Sequence, residues 1–159
     1  MQTLKIFQSL WAMEQRHPFL QEPSDDEKFE KIKSAGFNGV CIDLAAHEIE
    51  EFKKTQPFFK RHNLECMVNA FPYALDDLNP ILQLAKDFDA CFVNIIGGVM
   101  PIAFRDGIPV VERWMQDGKE VGINVLFETH RDSILNDLYY TLQLIEAVPE
   151  MRLCADLSH

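Results

Sequence analysis

Val125-Leu126-Phe127-Glu128-Thr129-His130-Arg131 reads as an apolar strand that runs straight into a carboxylate and an imidazole. A second run of the same kind, Leu153-Cys154-Ala155-Asp156-Leu157-Ser158-His159, follows after one amphipathic stretch. Side chains alternate across a strand, so Glu128 shares a face with Leu126 and Asn124, and Asp156 shares one with Cys154. A carboxylate at the last inward position of an apolar strand is costly to bury unless it meets a cation or hydrogen-bond donors. Two such carboxylates on neighbouring strands repel each other, and a divalent metal resolves that conflict. Mixed carboxylate and imidazole ligation suits Mn2+, Co2+ or Zn2+, with Mg2+ suited to an oxygen-rich position. Taken singly, Glu-x-His also reads as a solvated loop start, and Asp-x-x-His as a helix cap. The joint occurrence at two consecutive strand ends is what points to chemistry.

Outward from these two runs, strand and helix periodicities alternate along the whole chain. Strand-like runs are Leu4–Leu10, Gly39–Leu44, Leu64–Phe71, Cys91–Ile96, Asn124–Phe127 and Arg152–Ala155. Amphipathic stretches are Asp25–Ala35 (ending at Gly36), Ala45–His62, Leu75–Phe88, Val110–Val121 and Ser133–Ala147, the last with Asp132 as N-cap. Strand, helix, strand in this rhythm is the signature of βαβ units and a parallel sheet, with right-handed connections. Periodicity alone counts six strands and five helices, which an open doubly wound sheet accommodates more readily than an eight-stranded barrel. Against a nucleotide-binding sheet, Gln8-Ser9-Leu10-Trp11 stands where a GxGxxG turn would be, and no GxxxxGK[ST] occurs. Two irregular stretches, Glu14–Ser24 and Gly97–Pro109, follow strands and so belong to the face where parallel α/β proteins keep their sites.

The chain has 159 residues, 47% of them hydrophobic, and a formal net charge of −10. That length suits a single domain, 1–159. The acidic balance argues against nucleic acid or an anionic membrane as partner, since both select basic faces. Cys41, Cys66, Cys91 and Cys154 form no CxxC pair and sit within apolar runs, which predicts buried reduced thiols and a cytoplasmic location. No leader peptide and no membrane-length apolar stretch is seen.

The two terminal motifs, with the helix ending Leu144-Ile145-Glu146-Ala147 between them, resemble strands five and six of the xylose isomerase-like barrel superfamily. That superfamily includes sugar phosphate isomerases/epimerases, hydroxypyruvate isomerase, ketose 3-epimerases and an endonuclease branch. The resemblance covers the chain as five and a half βα units, although only its last third is specific. It implies an incomplete (β/α)8 TIM barrel of about six parallel strands and five helices. It further implies that Glu128 and Asp156 bind a divalent metal. His159 would bind substrate, as in the epimerases, or a further metal, as in the endonuclease branch. The family's ligands on strands seven and eight have no counterpart in this sequence.

The function expected is a metal-dependent isomerase or epimerase acting on a sugar, sugar phosphate or related hydroxy-carbonyl compound. Proton transfer would pass through an enediolate, with Glu128 as ligand and candidate base. His130, Arg131 and Trp11 are candidate substrate contacts, although a surface loop or core packing also accounts for them. Asp43 and Asn69 lie near the ends of strands two and three and Asn94 lies within strand four, and they either bond a polar ligand or satisfy the barrel rim. His17, His47 and His62 read as exposed helix or loop residues, and Gly97-Gly98 either admits a ligand closely or turns the chain. Two alternatives stand beside this: a truncated, inactive barrel fragment or scaffold, and an endonuclease-type phosphodiesterase. Open sheet edges predict a homo-oligomer.

Overall fold

The computed structural model describes residues 4–15, 18–101 and 103–157. Apolar runs pair as six parallel strands: β1 (Phe7–Ser9), β2 (Gly39–Leu44), β3 (Glu65–Ala70), β4 (Val93–Ile95), β5 (Val125–Glu128) and β6 (Leu153–Cys154). Their spatial order is their chain order, β1-β2-β3-β4-β5-β6. A doubly wound sheet reverses direction at a switch point, and this one does not. Crossovers of the right hand that parallel strands follow, wound in one direction, put the helices on one face and curl the sheet about the other. The fold is therefore an incomplete TIM barrel, and the open sheet that strand count alone favoured is corrected. Strand number does not specify strand order, and order decides closure.

The helices are α1 (Asp25–Ser34), α2 (Ile49–Phe52), α3 (Gln56–His62), α4 (Leu78–Asp87), α5 (Phe104–Val121) and α6 (Leu138–Ala147). Ser24 and Glu27 form a capping box at the start of α1, and Gly36 at φ 87° turns the chain after its end. Three helical expectations need correction. The stretch Ala45–His62 is broken by a 3-10 turn, Lys53–Thr55, because Pro57 has no N–H to continue the ladder. Helix α5 begins at Phe104 rather than Val110 and carries Pro109 in its second turn, where tertiary packing outweighs one missing hydrogen bond. Helix α6 begins at Leu138, capped by Asp137 accepting from the Tyr140 N–H, not at Ser133 beside Asp132. Ser133 instead holds a loop, its hydroxyl donating to the His130 carbonyl (2.7 Å) and accepting from the Leu135 N–H (3.2 Å).

The core lies between sheet and helices. Val40, Ile42 and Leu44 of β2 pair in register with Cys66, Val68 and Ala70 of β3, and all six are buried toward the helices. The alternate positions Cys41, Asp43, Met67 and Asn69 face the concave side. Trp114 of α5 is fully buried, donates its indole N–H to the Leu75 carbonyl (3.0 Å), and abuts Gly97. A β-carbon at Gly97 would stand 2.5 Å from the indole, so this glycine serves helix packing. Cys41 and Cys66 are buried as expected, but Cys91 is exposed and Cys154 half-buried. Cys91 precedes β4 at the amino end of the barrel, where its thiol donates to Glu65 (3.1 Å). No described helix is long and apolar enough to cross a membrane.

Candidate metal centre at the strand ends

The carboxyl ends of the strands open into a cavity of about 830 Å³. Ser9, Asp43, Asn69 and Glu128 line it from β1, β2, β3 and β5, and Trp11, His130, Arg131 and Asp156 reach it from segments just beyond strands. Each of these strands carries its polar residue at the last or next-to-last position, on the face opposite its helix-facing apolar residues.

Hydrogen bonds run from strand to strand around the concave face. Ser9 Oγ donates to Asp43 Oδ2 (2.6 Å), and Asn69 Nδ2 donates to Asp43 Oδ1 (2.7 Å). Asn94 Nδ2 donates both to Asn69 Oδ1 (3.0 Å) and to Glu128 Oε2. Asn94 is 1% exposed and Glu128 9% exposed, so this contact gives a buried carboxylate one of the donors it requires.

Glu128, His130 and Asp156 each present one ligand-capable atom, and these atoms all lie within 4.8 Å of one another. That spacing and the mixed oxygen and nitrogen donor set fit one divalent cation. His130 Nδ1 lies 2.6 Å from the Arg131 carbonyl oxygen. A carbonyl only accepts, so the proton sits on Nδ1 and the ring's lone pair on Nε2, which is the arrangement metal-ligating histidines adopt. The crowding of negative charge is felt nearby: the Cys154 thiol is pushed up by burial, then by Glu128 and Asp156.

The structure brings together most of the residues singled out in the sequence. Glu128, Asp156, His130, Arg131 and Trp11 all line the one cavity. His130, read as a substrate contact, also belongs to the donor group with the two carboxylates. Trp11 is 70% exposed at the cavity rather than packed in the core. His159 and His17 lie outside the described residues. His47 lines the cavity, whereas His62 bonds Asp26 (2.6 Å) and links α3 to α1. Asn94 carries more than a rim position implies. Its signal was the alternation in β4, where Val93 and Ile95 face the helices and leave Asn94 inward, in register with Asn69.

No family model matches the chain, and no curated protein does. Solved structures do. A Methylomonas D-allulose 3-epimerase in complex with D-allulose superposes with a TM-score of 0.71 at 10% identity, covering 96% of this chain and 61% of that one. A probable 3-DHS dehydratase of petrobactin synthesis from Bacillus anthracis gives 0.67 at 18%, covering 96% and 62%. A xylose isomerase-like TIM barrel protein from Mycobacterium smegmatis, in complex with magnesium, gives 0.65 at 16%, covering 98% and 64%. At these identities the likeness establishes the fold alone, that of a TIM barrel. The chain spans between 61 and 64% of the length of these three structures.

Proposed function

We propose that this chain supplies Glu128, His130 and Asp156 to a divalent-metal site that moves a proton on a sugar or related hydroxy-carbonyl compound. The observation that carries the reading is the convergence of three donor atoms within 4.8 Å at the rim of a cavity of sugar-binding size. The solved barrels of like fold, one holding D-allulose and another magnesium, support it. Held by Glu128, His130 and Asp156, a divalent cation such as Mn2+, Co2+, Zn2+ or Mg2+ would supply Lewis acidity to a substrate carbonyl and so acidify the C–H beside it.

The protein's own groups do the rest. Glu128 is held by Asn94 on one oxygen, and in this reading it accepts the proton from the carbon beside the carbonyl. Return of that proton to the neighbouring carbon, with the hydroxyl proton passing to the carbonyl oxygen, gives isomerisation; epimerisation would require a second acid on the opposite face to deliver the proton. Asp156 and His130 complete the donor set, Arg131 binds a substrate oxygen, and Trp11 offers an apolar wall to the sugar ring. His159 takes the role its position after Asp156 implies, steering a substrate oxygen or joining the metal. The protein acts on a small molecule in the cytoplasm as a homo-oligomer, and its net charge of −10 disfavours nucleic acid as substrate.

The test pairs calorimetric titration of Mn2+ with solvent-deuterium incorporation into D-allulose and other ketoses. Wild type should take up Mn2+, and Glu128→Ala and Asp156→Ala should each abolish that uptake and the exchange. Unchanged Mn2+ and Zn2+ affinity in both variants refutes the site.

A further inference from the structure

We infer that Asn94 is a positioning residue, holding the Glu128 carboxylate in one orientation as the terminal link of a hydrogen-bonded belt anchored at Asp43. The inference rests on the reading of Glu128 as a working carboxylate and adds how that group is aimed.

The belt has one direction. A carboxylate only accepts, so Asn69 turns its amide N–H2 to Asp43 and its amide oxygen to Asn94. That oxygen also only accepts, so Asn94 turns its own N–H2 to Asn69. Both amide hydrogens of Asn94 are then committed, one to Asn69 and one to Glu128. Its amide oxygen is left buried and without a hydrogen-bond partner among the described residues. Rotating the amide would press that oxygen against the oxygens of Asn69 and Glu128 and turn the N–H2 to the side where no partner stands among the described residues. The unpaired acceptor is thus the residue of a constraint set from outside, by Asp43.

Strand register explains the geometry. Asp43, Asn69 and Asn94 are register partners on three adjacent strands, close enough for short side chains to bridge. Asn94 pairs with Leu126, so Glu128 stands one inward step nearer the rim, and its longer side chain returns to meet Asn94. Aspartate at position 94 would set a second acid against Glu128, and an aliphatic residue would leave Glu128 without this donor.

The experiment compares wild type, Asn94→Ala, Asn69→Ala, the double variant and Glu128→Gln, by Mn2+ titration and by 15N NMR of side-chain amides in the metal-free protein. Asn94→Ala should weaken Mn2+ binding about 10- to 100-fold, as loss of a supporting partner does. Asn69→Ala leaves Glu128 untouched and should act in the same direction, with the double variant no weaker than Asn94→Ala alone. It also carries the test if Asn94→Ala fails to fold. Asn94 amide protons should exchange slowly in wild type and shift in Glu128→Gln. Unchanged Mn2+ affinity in both single variants overturns the positioning role and leaves the metal site standing. If wild type takes up no Mn2+, the metal reading fails instead and the amide protons decide. Slow exchange lost in Glu128→Gln upholds the belt, and exchange as fast as that of a surface asparagine overturns it.

Discussion

The indole of Trp114 and the ring of Phe127 lie nearly parallel, 6.4 Å between centroids and 25° between planes, on the helix side of β5. Phe127 and Glu128 are neighbours on an extended strand, so the ring that points into the helices obliges the carboxylate to point into the cavity. Trp114→Ala should destabilise the protein by about 3–5 kcal/mol in urea unfolding. A loss below about 1 kcal/mol, the level of a surface change, would show that this pair does not hold β5 in place.

The same indole sets the requirement at Gly97. Gly97→Ala should cost about 1–3 kcal/mol through overpacking. The penalty should shrink when Trp114 is replaced by Phe, because the contact at 2.5 Å is to the six-membered ring of the indole. Equal penalties in the two backgrounds would place the strain elsewhere.

Acid sensitivity should trace partly to the joint between α1 and α3. The Asp26 carboxyl is held below its ordinary value of 3.8, first by the hydrogen bond with His62 and also by Arg61. A lowered folded-state value means the stabilisation is present above 3.8 and is lost as pH falls through the lower folded value. Unfolding curves of wild type and Asp26→Asn should therefore differ near neutrality and converge at acid pH. A difference that grows on acidification would contradict this sign.

Cys91 should be a sluggish thiol despite its exposure. Burial of part of the group, then the hydrogen bond to Glu65 and its charge, push it up to about 11. At pH 8 only about one thiol in a thousand is ionised, so alkylation should be slow, and Glu65→Gln should speed it severalfold. No change in rate would remove Glu65 as a cause.

Self-association should be visible in solution. Among the described strands β1 and β6 do not pair with each other, and α6 presents Leu138, Tyr139 and Leu142 to solvent. Light scattering at micromolar concentration should give a multiple of 18.4 kDa. A monomeric mass would count against it.

Strand and helix alternation, the parallel sheet and the pair Glu128 and Asp156 were legible because each is written in local spacing. The winding of the sheet is not written in that spacing, since strand order depends on which way each crossover returns, and the incomplete barrel is expected only from the resemblance of the two terminal motifs. Pro109 looked like a helix boundary because a proline removes one hydrogen bond. Buried contacts of α5 at Val111, Trp114 and Val121 outweigh that loss, and no single-residue rule contains them. Asp132 looked like the cap, but Asp137 caps the helix because Ser133 and Ile134 tie the intervening loop down. The Ile134 N–H donates to the Gly97 carbonyl at 2.8 Å, a contact between segments 37 residues apart. His130 entered the donor group for a like reason: its ring is aimed by the Arg131 carbonyl, a backbone atom that side-chain patterns do not register.

The strictly consecutive strand order has a consequence for how the molecule is made. On a ribosome, each strand after β1 emerges to find its neighbour already synthesised. A pause in translation then leaves a shorter sheet in the same order, with its last strand as an open edge.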